Sequence, residues 1–431
     1  MRFSIVTLGC KVNSYESQYY VEQLTNAGFT QVKDGQDTDI CIINTCAVTN
    51  TAASKSRQKI NQAKRNHPNA YIAVVGCLGQ FMDEEKRKEL DVDLLMGAKH
   101  KDQLVSYIQD MIKNNTKVDT IDTVDQTFDF ESMPIHFFQD QHRAFLKVQD
   151  GCNQFCSYCA IPYARGRERS LPMEQVVNIA KELEAQGHKE IVLTGIHTGR
   201  YNDGANNLTD LLQQLLEQTS ADIYYRISSI EITEVTDSLI ELMKDNTRIC
   251  RHLHIPIQSG CDETLKRMNR PYTILDFKNK LEIIRQQIPD ISISTDVIAG
   301  FIQESDQEFQ RTIQTIKDCA FSFLHVFPYS KRDGTVASKM KGELNGSIKK
   351  DRVNQLLKLS SLLRQEDMKR FNTIDVLIEQ KKEQGYTGYT SQYHPVIIQS
   401  EKDISGRYQY EISEIIDNTY IVKGKGKEIC A

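Results

Sequence analysis

Three cysteines in one short string, Cys152, Cys156 and Cys159 in GCNQFCSYC, carry the densest chemistry of the 431-residue chain. An iron–sulfur cube has four iron corners and is normally held by four cysteine thiolates. A loop that supplies only three leaves one iron open, where a small molecule can chelate. A structural zinc site is the alternative, but zinc usually takes four protein ligands in CxxC-type pairs. No fourth Cys or His lies close by in sequence, so the CxxxCxxC spacing favours the cluster.

Cys10, Cys46 and Cys77 form a second set, far apart in sequence but at one shared station. Each ends a predicted strand and precedes a loop or helix start. In an open parallel sheet neighbouring strands bring their carboxyl ends together, and ligands bind there. Helix N-termini at that edge favour an anionic thiolate cluster. The alternative is three buried structural thiols, since free Cys packs as a small hydrophobe. Cys41, inside its strand, is read that way. So are Cys250, Cys261, Cys319 and Cys430, which have no motif around them.

The elements that must position these residues follow an alternating pattern. Residues 1–118 read as strand FSIVTLGC (3–10), a helix ending near Gly28, strand DICIINTC (39–46), a helix over 49–65, strand AYIAVVGC (70–77), a further helix and a short DLLMGA strand. This predicts an open parallel sheet with covering helices. Residues 119–137 are acidic, without Lys or Arg up to Glu131, and read as a linker. Over 138–368 the rhythm restarts with AFLKVQDG, EIVLTGIH, YYRISSIE, HLHIPIQSG, SISTDVIAGF and FLHVFPYS; Pro172 marks a helix start and Gly187 the end of that helix. Six such units predict an incomplete, (β/α)6 version of the TIM barrel. A basic helix over 338–370 follows, with nine Lys or Arg against four acidic residues. Residues 369–431 alternate as DVLIEQ, GYTGYT, HPVIIQS, YQYEIS and TYIVKG, which predicts a small antiparallel β-barrel. The fold class is α/β multidomain, and about three domains suit this length.

A net charge of −5 argues against gripping nucleic acid by bulk charge, though local patches remain available. The N-terminus MRFSIVTLGCKVNSYE lacks a secretory pattern, and no stretch approaches the 18 or so apolar residues of a membrane span. A cytoplasmic, reducing location without membrane attachment is expected, so the eleven cysteines read as metal ligands or buried thiols.

The order Cys10, Cys46, Cys77, then CNQFCSYCAIPYARGRERS, then a C-terminal β-barrel, resembles the methylthiotransferases of the radical S-adenosylmethionine (SAM) superfamily over essentially the whole chain. Within that family TLGCKVNSYES (7–17) looks most like the bacterial enzymes that methylthiolate carbon 2 of N6-threonylcarbamoyladenosine beside the tRNA anticodon. Close relatives modify isopentenyladenosine in tRNA or an aspartate of a ribosomal protein. The resemblance implies an N-terminal α/β domain, a partial (β/α)6 barrel and a small TRAM (OB-like) β-barrel. It implies SAM and two [4Fe–4S] clusters as cofactors. Cys152, Cys156 and Cys159 would hold the SAM-binding, catalytic cluster, and Cys10, Cys46 and Cys77 the auxiliary one. Tyr158 would lie near adenine and Gly195, in TGIHTG, near the SAM amino group. Ser228 in RISSIE, Gln258 in PIQSG, and Asp296 and Gly300 in TDVIAG stand at later strand ends as further SAM contacts.

Two departures from the family pattern stand out. The family commonly has a Pro-Gly pair after TDVIxGF, where this chain reads FIQES at 301–305; its β-barrel is often basic, whereas residues 371–431 hold seven Lys or Arg and nine acidic residues. The implied partners are a tRNA anticodon stem-loop, SAM and a reducing donor such as a flavodoxin or ferredoxin, with a monomer expected. RNA contacts are expected from the basic stretch 51–69, from Arg165, Arg167 and Arg169, from the 338–370 helix, and from Tyr386, Tyr389 and Tyr393 stacking on unpaired bases. A different class, a non-catalytic iron–sulfur protein that binds RNA or relays electrons, is disfavoured, because a relay gains nothing from an exposed iron.

Overall fold

The computed structural model describes residues 1–124, 128–135, 142–400, 402–424 and 426–429. The chain forms two compact units, the first comprising Met1–Phe138, Lys147–Pro172 and Ser330–Lys339. Its sheet is built from β1 (Arg2–Thr7), β2 (Thr30–Gln31), β3 (Ile40–Thr45), β4 (Tyr71–Gly76), β5 (Leu94–Leu95) and β6 (Val118–Asp119). All pairings are parallel, in the order β2-β1-β3-β4-β5-β6. Helices α1 (Lys11–Asn26), α2 (Asn50–Asn66), α3 (Cys77–Gln80), α4 (Glu84–Glu89) and α5 (Leu104–Asn114) make the connections. β3 is buried at every position, the signature of a parallel strand covered on both faces. The two-residue strands β2 and β6 escape the sequence reading because they are too short to show a period.

The acidic segment after β6 packs onto this unit. Val124, Met133 and Ile135 are buried, and the Tyr15 hydroxyl donates to the Met133 carbonyl at 2.6 Å. Of that stretch, 125–127 and 136–137 lie outside the described residues, as does Cys430.

Strand β7 (Arg143–Lys147) leads to a short antiparallel ladder in the first unit, β8 (Gln149–Asp150) against β9 (Arg169–Ser170), with α6 (Ile161–Arg165) between them. This ladder closes the loop that carries Cys152, Cys156 and Cys159.

The second unit comprises Gln139–Leu146, Met173–Tyr329 and Met340–Ala431. It continues as α7 (Met173–Ala185), β10 (Glu190–Thr194), α8 (Leu208–Gln218), β11 (Tyr224–Ile227), α9 (Asp237–Asp245), β12 (His252–His254), α10 (Asp262–Arg267) and α11 (Ile274–Gln287). Then come β13 (Ser292–Ala299), α12 (Asp306–Asp318), β14 (Phe323–Pro328) and α13 (Gly346–Met368). The strands form two three-stranded sheets, β7-β10-β11 and β12-β13-β14, with parallel bridges at Tyr225–Ile249 and Ser229–His254 between them. All six strands expected over 138–368 are present. The basic helix is shorter than its composition suggests: it starts at Gly346, where the Asn345 side chain caps the Ser347 amide.

The C-terminal strands are β15 (Thr373–Lys382), β16 (Gly385–Thr390), β17 (Pro395–Gln399), β18 (Arg407–Glu411), β19 (Glu414–Ile416), β20 (Thr419–Lys423) and β21 (Lys427–Glu428). They form one sheet in the order β19-β20-β17-β16-β15-β18-β21. The expected antiparallel arrangement is corrected at one pairing, because β17 and β20 run parallel and the sheet is mixed. The chain leaves β17 to pair β18 with β15, then reverses in the β19–β20 hairpin at Asp417 and Asn418, both at positive φ. Two successive positive-φ residues are the signature of a tight hairpin turn. β18 already runs opposite to β17, so this second reversal sends β20 along the direction of β17.

Glu190 pins this sheet to the preceding α/β elements of the same unit. Its carboxylate accepts from Arg143 Nε at 2.8 Å, Arg226 Nε at 2.7 Å and Arg407 Nη2 at 2.9 Å, all buried. Arg226 also donates to the Thr390 and Ser391 carbonyls.

Candidate functional site: two cysteine triads

The first triad is assembled by the sheet. Cys10, Cys46 and Cys77 directly follow or lie just beyond β1, β3 and β4, which are adjacent strands, so all three stand at one carboxyl edge. Cys10 caps α1 and Cys77 opens α3. Gly9, at φ +109°, lies so close to Cys46 that a Cβ on it would stand 2.7 Å from the Cys46 Cβ. Gly76, at φ +92°, aims Cys77, and a Cβ there would meet Asn44 Oδ1 and the Thr45 carbonyl at 2.6 Å. The thiols also sense one another. Burial pushes Cys46 up to about 11, the Val48 amide opposes this, and charge on Cys77 and Cys10 adds to the rise. Cys77 is likewise raised by burial and pulled back by Arg165.

Arg165 belongs to a buried charge cluster that composition does not reveal. Its guanidinium donates to Glu16 Oε1 at 2.9 Å, Asp150 Oδ1 at 3.3 Å and Asn13 Oδ1 at 2.9 Å. Asn13 Oδ1 is also the acceptor for the Cys10 thiol at 3.5 Å, and Asn13 Nδ2 holds the Leu8 and Thr45 carbonyls. Lys101 reaches Glu16 at 2.8 Å, Lys147 reaches Asp150 at 2.7 Å and Arg169 reaches Asp150 at 3.1 Å. Burial alone would raise the Glu16 carboxyl, but Arg165, Lys101 and Lys147 outweigh it and hold it well below the usual carboxylate range. Asp150 is held down in the same way, chiefly by Lys147 and Arg169. Arg165 is therefore corrected from an RNA contact to a buried structural cation. Arg169 is stacked on Phe128 at 4.0 Å, and of the three only Arg167 is exposed.

The second triad rides on the loop between β8 and α6. The Cys152 amide donates to the Gly166 carbonyl at 3.1 Å, the Cys159 amide to the Cys156 carbonyl at 2.9 Å, and the Gln154 amide to the Cys152 sulfur at 3.4 Å. The Glu168 carboxylate holds the Asn153 amide at 3.0 Å and its side chain at 3.2 Å. Phe155 packs edge-on against Tyr163 and lies beneath Arg167. Tyr158, half-buried, lies in the same loop. None of the six cysteines is in a disulfide. Two sets of three free thiols fit clusters held by three thiolates each.

The remaining site candidates lie in the second unit, Gly195, Ser228 and Gly300 just past strands and Gln258 in the loop after β12, while Asp296 is corrected from a strand end to the interior of β13. Gly195 follows β10. Ser228 follows β11, its amide donating to the Leu193 carbonyl at 3.1 Å and its hydroxyl 2.9 Å from Thr198 Oγ1. Gln258, at φ +62°, bridges to β13 through the Asp296 carbonyl and the Ile298 amide, both at 2.9 Å. Asp296 lies 3.1 Å from His254 Nε2, and Ser294 Oγ orients the other ring nitrogen at 2.8 Å. The Gly300 amide donates to buried Glu304 at 2.9 Å, and Arg352 of α13 grips the Glu304 carbonyl at 2.9 Å. The FIQES stretch at 301–305 is thus clamped by a buried Glu–Arg pair. His197 lies 2.8 Å from Glu234 beside this row; the sequence reading missed both, since they are separated by 37 residues without a motif.

Two expected RNA-stacking features are corrected. Tyr386 is buried, with its hydroxyl on Asp403. Tyr389 and Tyr393 stack on each other at 4.9 Å with Arg143 over both rings, so they are engaged within their own unit. In the basic stretch 51–69, Lys55, Arg57 and Arg65 of α2 are exposed, whereas Lys59 pairs with Asp34 and Lys64 with the Leu90 carbonyl. Arg57, Lys86, Lys331, Arg332 and Phe81 line a cavity of about 310 Å³ next to Leu78. No helix among the described residues is long and apolar enough to cross a membrane.

Comparison with known proteins agrees with this geometry. Residues 146–316 match the family described as Radical SAM superfamily, and residues 2–97 match Uncharacterized protein family UPF0004. The chain is 38% identical over 410 residues to the threonylcarbamoyladenosine tRNA methylthiotransferase MtaB of Bacillus subtilis, covering 93% of this chain and 91% of that protein. It is 40% identical over 354 residues to MtaB of Thermotoga maritima, covering 82% and 80%. A tRNA-2-methylthio-N(6)-dimethylallyladenosine synthase of Syntrophus aciditrophicus is 32% identical, covering 99% and 94%. Among solved structures, the radical SAM methyltransferase TsrM from Kitasatospora setae shares the fold at a TM-score of 0.56 and 11% identity, covering 75% of this chain and 72% of that one. The chain belongs to the radical SAM tRNA methylthiotransferases.

Proposed function

We propose that the protein adds a methylthio group to carbon 2 of N6-threonylcarbamoyladenosine beside the tRNA anticodon. The observation that carries this reading is the presence of two separate triads of free cysteines, one at the carboxyl edge of β1, β3 and β4 and one on the β8–α6 loop. The cofactors are SAM and two [4Fe–4S] clusters, which supply reductive cleavage of SAM and delivery of the sulfur. In this reading Cys152, Cys156 and Cys159 hold the first cluster and Cys10, Cys46 and Cys77 the second. Tyr158, Gly195, Ser228, Gln258, Asp296 and Gly300 bind and orient SAM. The six strands β7 and β10–β14 form the partial (β/α)6 barrel, and residues 369–431 a TRAM-like module. The segment boundaries are those of the sequence reading, at 118, 137 and 368.

The choice of threonylcarbamoyl- over dimethylallyladenosine rests on relatives, 38–40% identical against 32%. Exposed Arg57 and Lys331 at their cavity, with exposed Arg167, would take phosphates of the anticodon stem-loop and fix its register. A flavodoxin or ferredoxin would supply electrons to a monomer in the cytoplasm. Nucleoside mass spectrometry on tRNA from a host lacking the activity tests the proposal. Expression of this chain yields 2-methylthio-N6-threonylcarbamoyladenosine, and Cys156→Ala abolishes it. An unchanged nucleoside profile with fully iron-loaded protein overturns the assignment.

A further inference from the structure

The buried cluster between the two cysteine sets carries more positive charge than it neutralises. Lys101, Lys147, Arg165 and Arg169 are four cations, and Glu16 and Asp150 are the two fully buried anions among them. Glu131, half-buried, stands nearby with its carboxylate on the His100 and Lys101 amides. An interior does not ordinarily hold unpaired charge, because desolvation costs several kcal/mol per ion. The surplus therefore calls for an anion. Arg165 points to where it sits: it shares the acceptor Asn13 Oδ1 with the Cys10 thiol, and its helix α6 packs on α3, which begins at Cys77. Counting Glu131, the described residues set three carboxylates against four cations at this cluster.

We propose that Arg165 and the surplus cations around it are the built-in counter-charge of the iron–sulfur cluster at Cys10, Cys46 and Cys77, and that they set its reduction potential. This rests on the reading of those cysteines as cluster ligands. Three thiolates on a [4Fe–4S] core give one net negative charge when the core is oxidised and two when it is reduced. A fixed positive field stabilises the more negative, reduced form and so raises the potential; net charge and hydrogen bonding near the sulfurs are established levers on such potentials. Arg165 acts through the field and through Asn13, and is a positioning residue.

The test uses the full chain carrying Cys152→Ala, Cys156→Ala and Cys159→Ala, reconstituted with iron and sulfide, so that only the N-terminal thiols can bind a cluster. Iron content and an EPR-monitored redox titration are the readouts. Arg165→Gln removes a cation and is expected to lower the midpoint potential. Glu16→Gln removes an anion and is expected to raise it. The double variant restores the charge balance and returns the potential towards the parent. Iron lost from Arg165→Gln but regained in the double variant gives the same answer. Where Arg165→Gln does not fold, Arg169→Gln removes the same charge from the rim of the cluster. Shifts of the same sign in both single variants, or no shift, overturn the proposal. A parent without iron overturns the ligand reading instead.

Discussion

Arg165, at the end of the helix that follows the CxxxCxxC loop, and Glu16, in the helix that starts behind Cys10, meet in a fully buried ion pair at 2.9 Å across 149 residues of sequence. The pair ties the loop of one triad to the strand edge of the other inside one compact unit. A buried pair of this kind is weak evidence of added stability, because desolvation offsets most of the attraction. Its value lies in registry: guanidinium, carboxylate and Asn13 amide have one mutual arrangement, and that arrangement places Cys10 and α6 together.

The two triads should load iron independently. Wild-type protein is expected to hold about eight irons per chain and each triple Cys→Ala variant about four. Iron and sulfide analysis after anaerobic reconstitution checks this, and about eight irons in the Cys10, Cys46, Cys77 variant would exclude those ligands.

Gly76→Ala should cost the N-terminal cluster while sparing the other. A Cβ at φ +92° collides with Asn44 and the Thr45 carbonyl, so the backbone that aims Cys77 must move. The expected result is about half the wild-type iron, roughly the four held by the other triad. The absorption and EPR signals of the CxxxCxxC cluster should persist.

Glu190→Ala should destabilise the second unit by about 3–5 kcal/mol, because it leaves Arg143, Arg226 and Arg407 buried without their shared anion. Equilibrium denaturation followed by tyrosine fluorescence measures the loss. A change below about 1 kcal/mol, the size of a surface pair, would show that Asp375 and Glu379 suffice as partners.

Phosphate contacts should come from the exposed cations only. Replacing Arg57 and Lys331 by Ala should weaken anticodon stem-loop binding whatever its sequence and reduce the salt slope by roughly 0.7 per lost contact. Tyr389→Leu should leave RNA affinity unchanged, since that ring stacks inside its own unit. Filter binding across a salt series separates the two.

Stability should fall as the pH drops below about 6.5, the unfolded value for histidine. His394 is buried against Asp367 at 2.8 Å, and burial lowers its pKa despite that partner. A histidine depressed in the fold binds its proton more readily when unfolded. Its contribution is therefore complete above the unfolded pKa and declines as the pH falls towards the folded one. Asp367, held down to about 2, stays ionised throughout this window. Urea midpoints between pH 7.5 and 5.5 should fall for the wild type and flatten for His394→Gln.

The two cysteine sets stand out in the sequence, because thiolates are the usual iron–sulfur ligands and their stations follow from local spacing and chain periodicity. The CxxxCxxC loop is local, and the strand-end positions of Cys10, Cys46 and Cys77 follow from the βα alternation that predicts the parallel sheet. The six strands β7 and β10–β14 are equally periodic. The tertiary structure alone decided what has no period or spacing. Arg165 and Arg167 look alike in ARGRERS, yet one is buried on Glu16 and the other exposed, because only folding brings Glu16, Lys101 and Asp150 to the same place. Tyr389 and Tyr393 read as stacking platforms until Arg143, some 250 residues earlier in the chain, is seen to cover them. The parallel pairing of β17 with β20 depends on which strand the chain visits in between. Local sequence specifies where the cysteines stand; the charges and neighbours around them are long-range contacts, and those exist only in the folded chain.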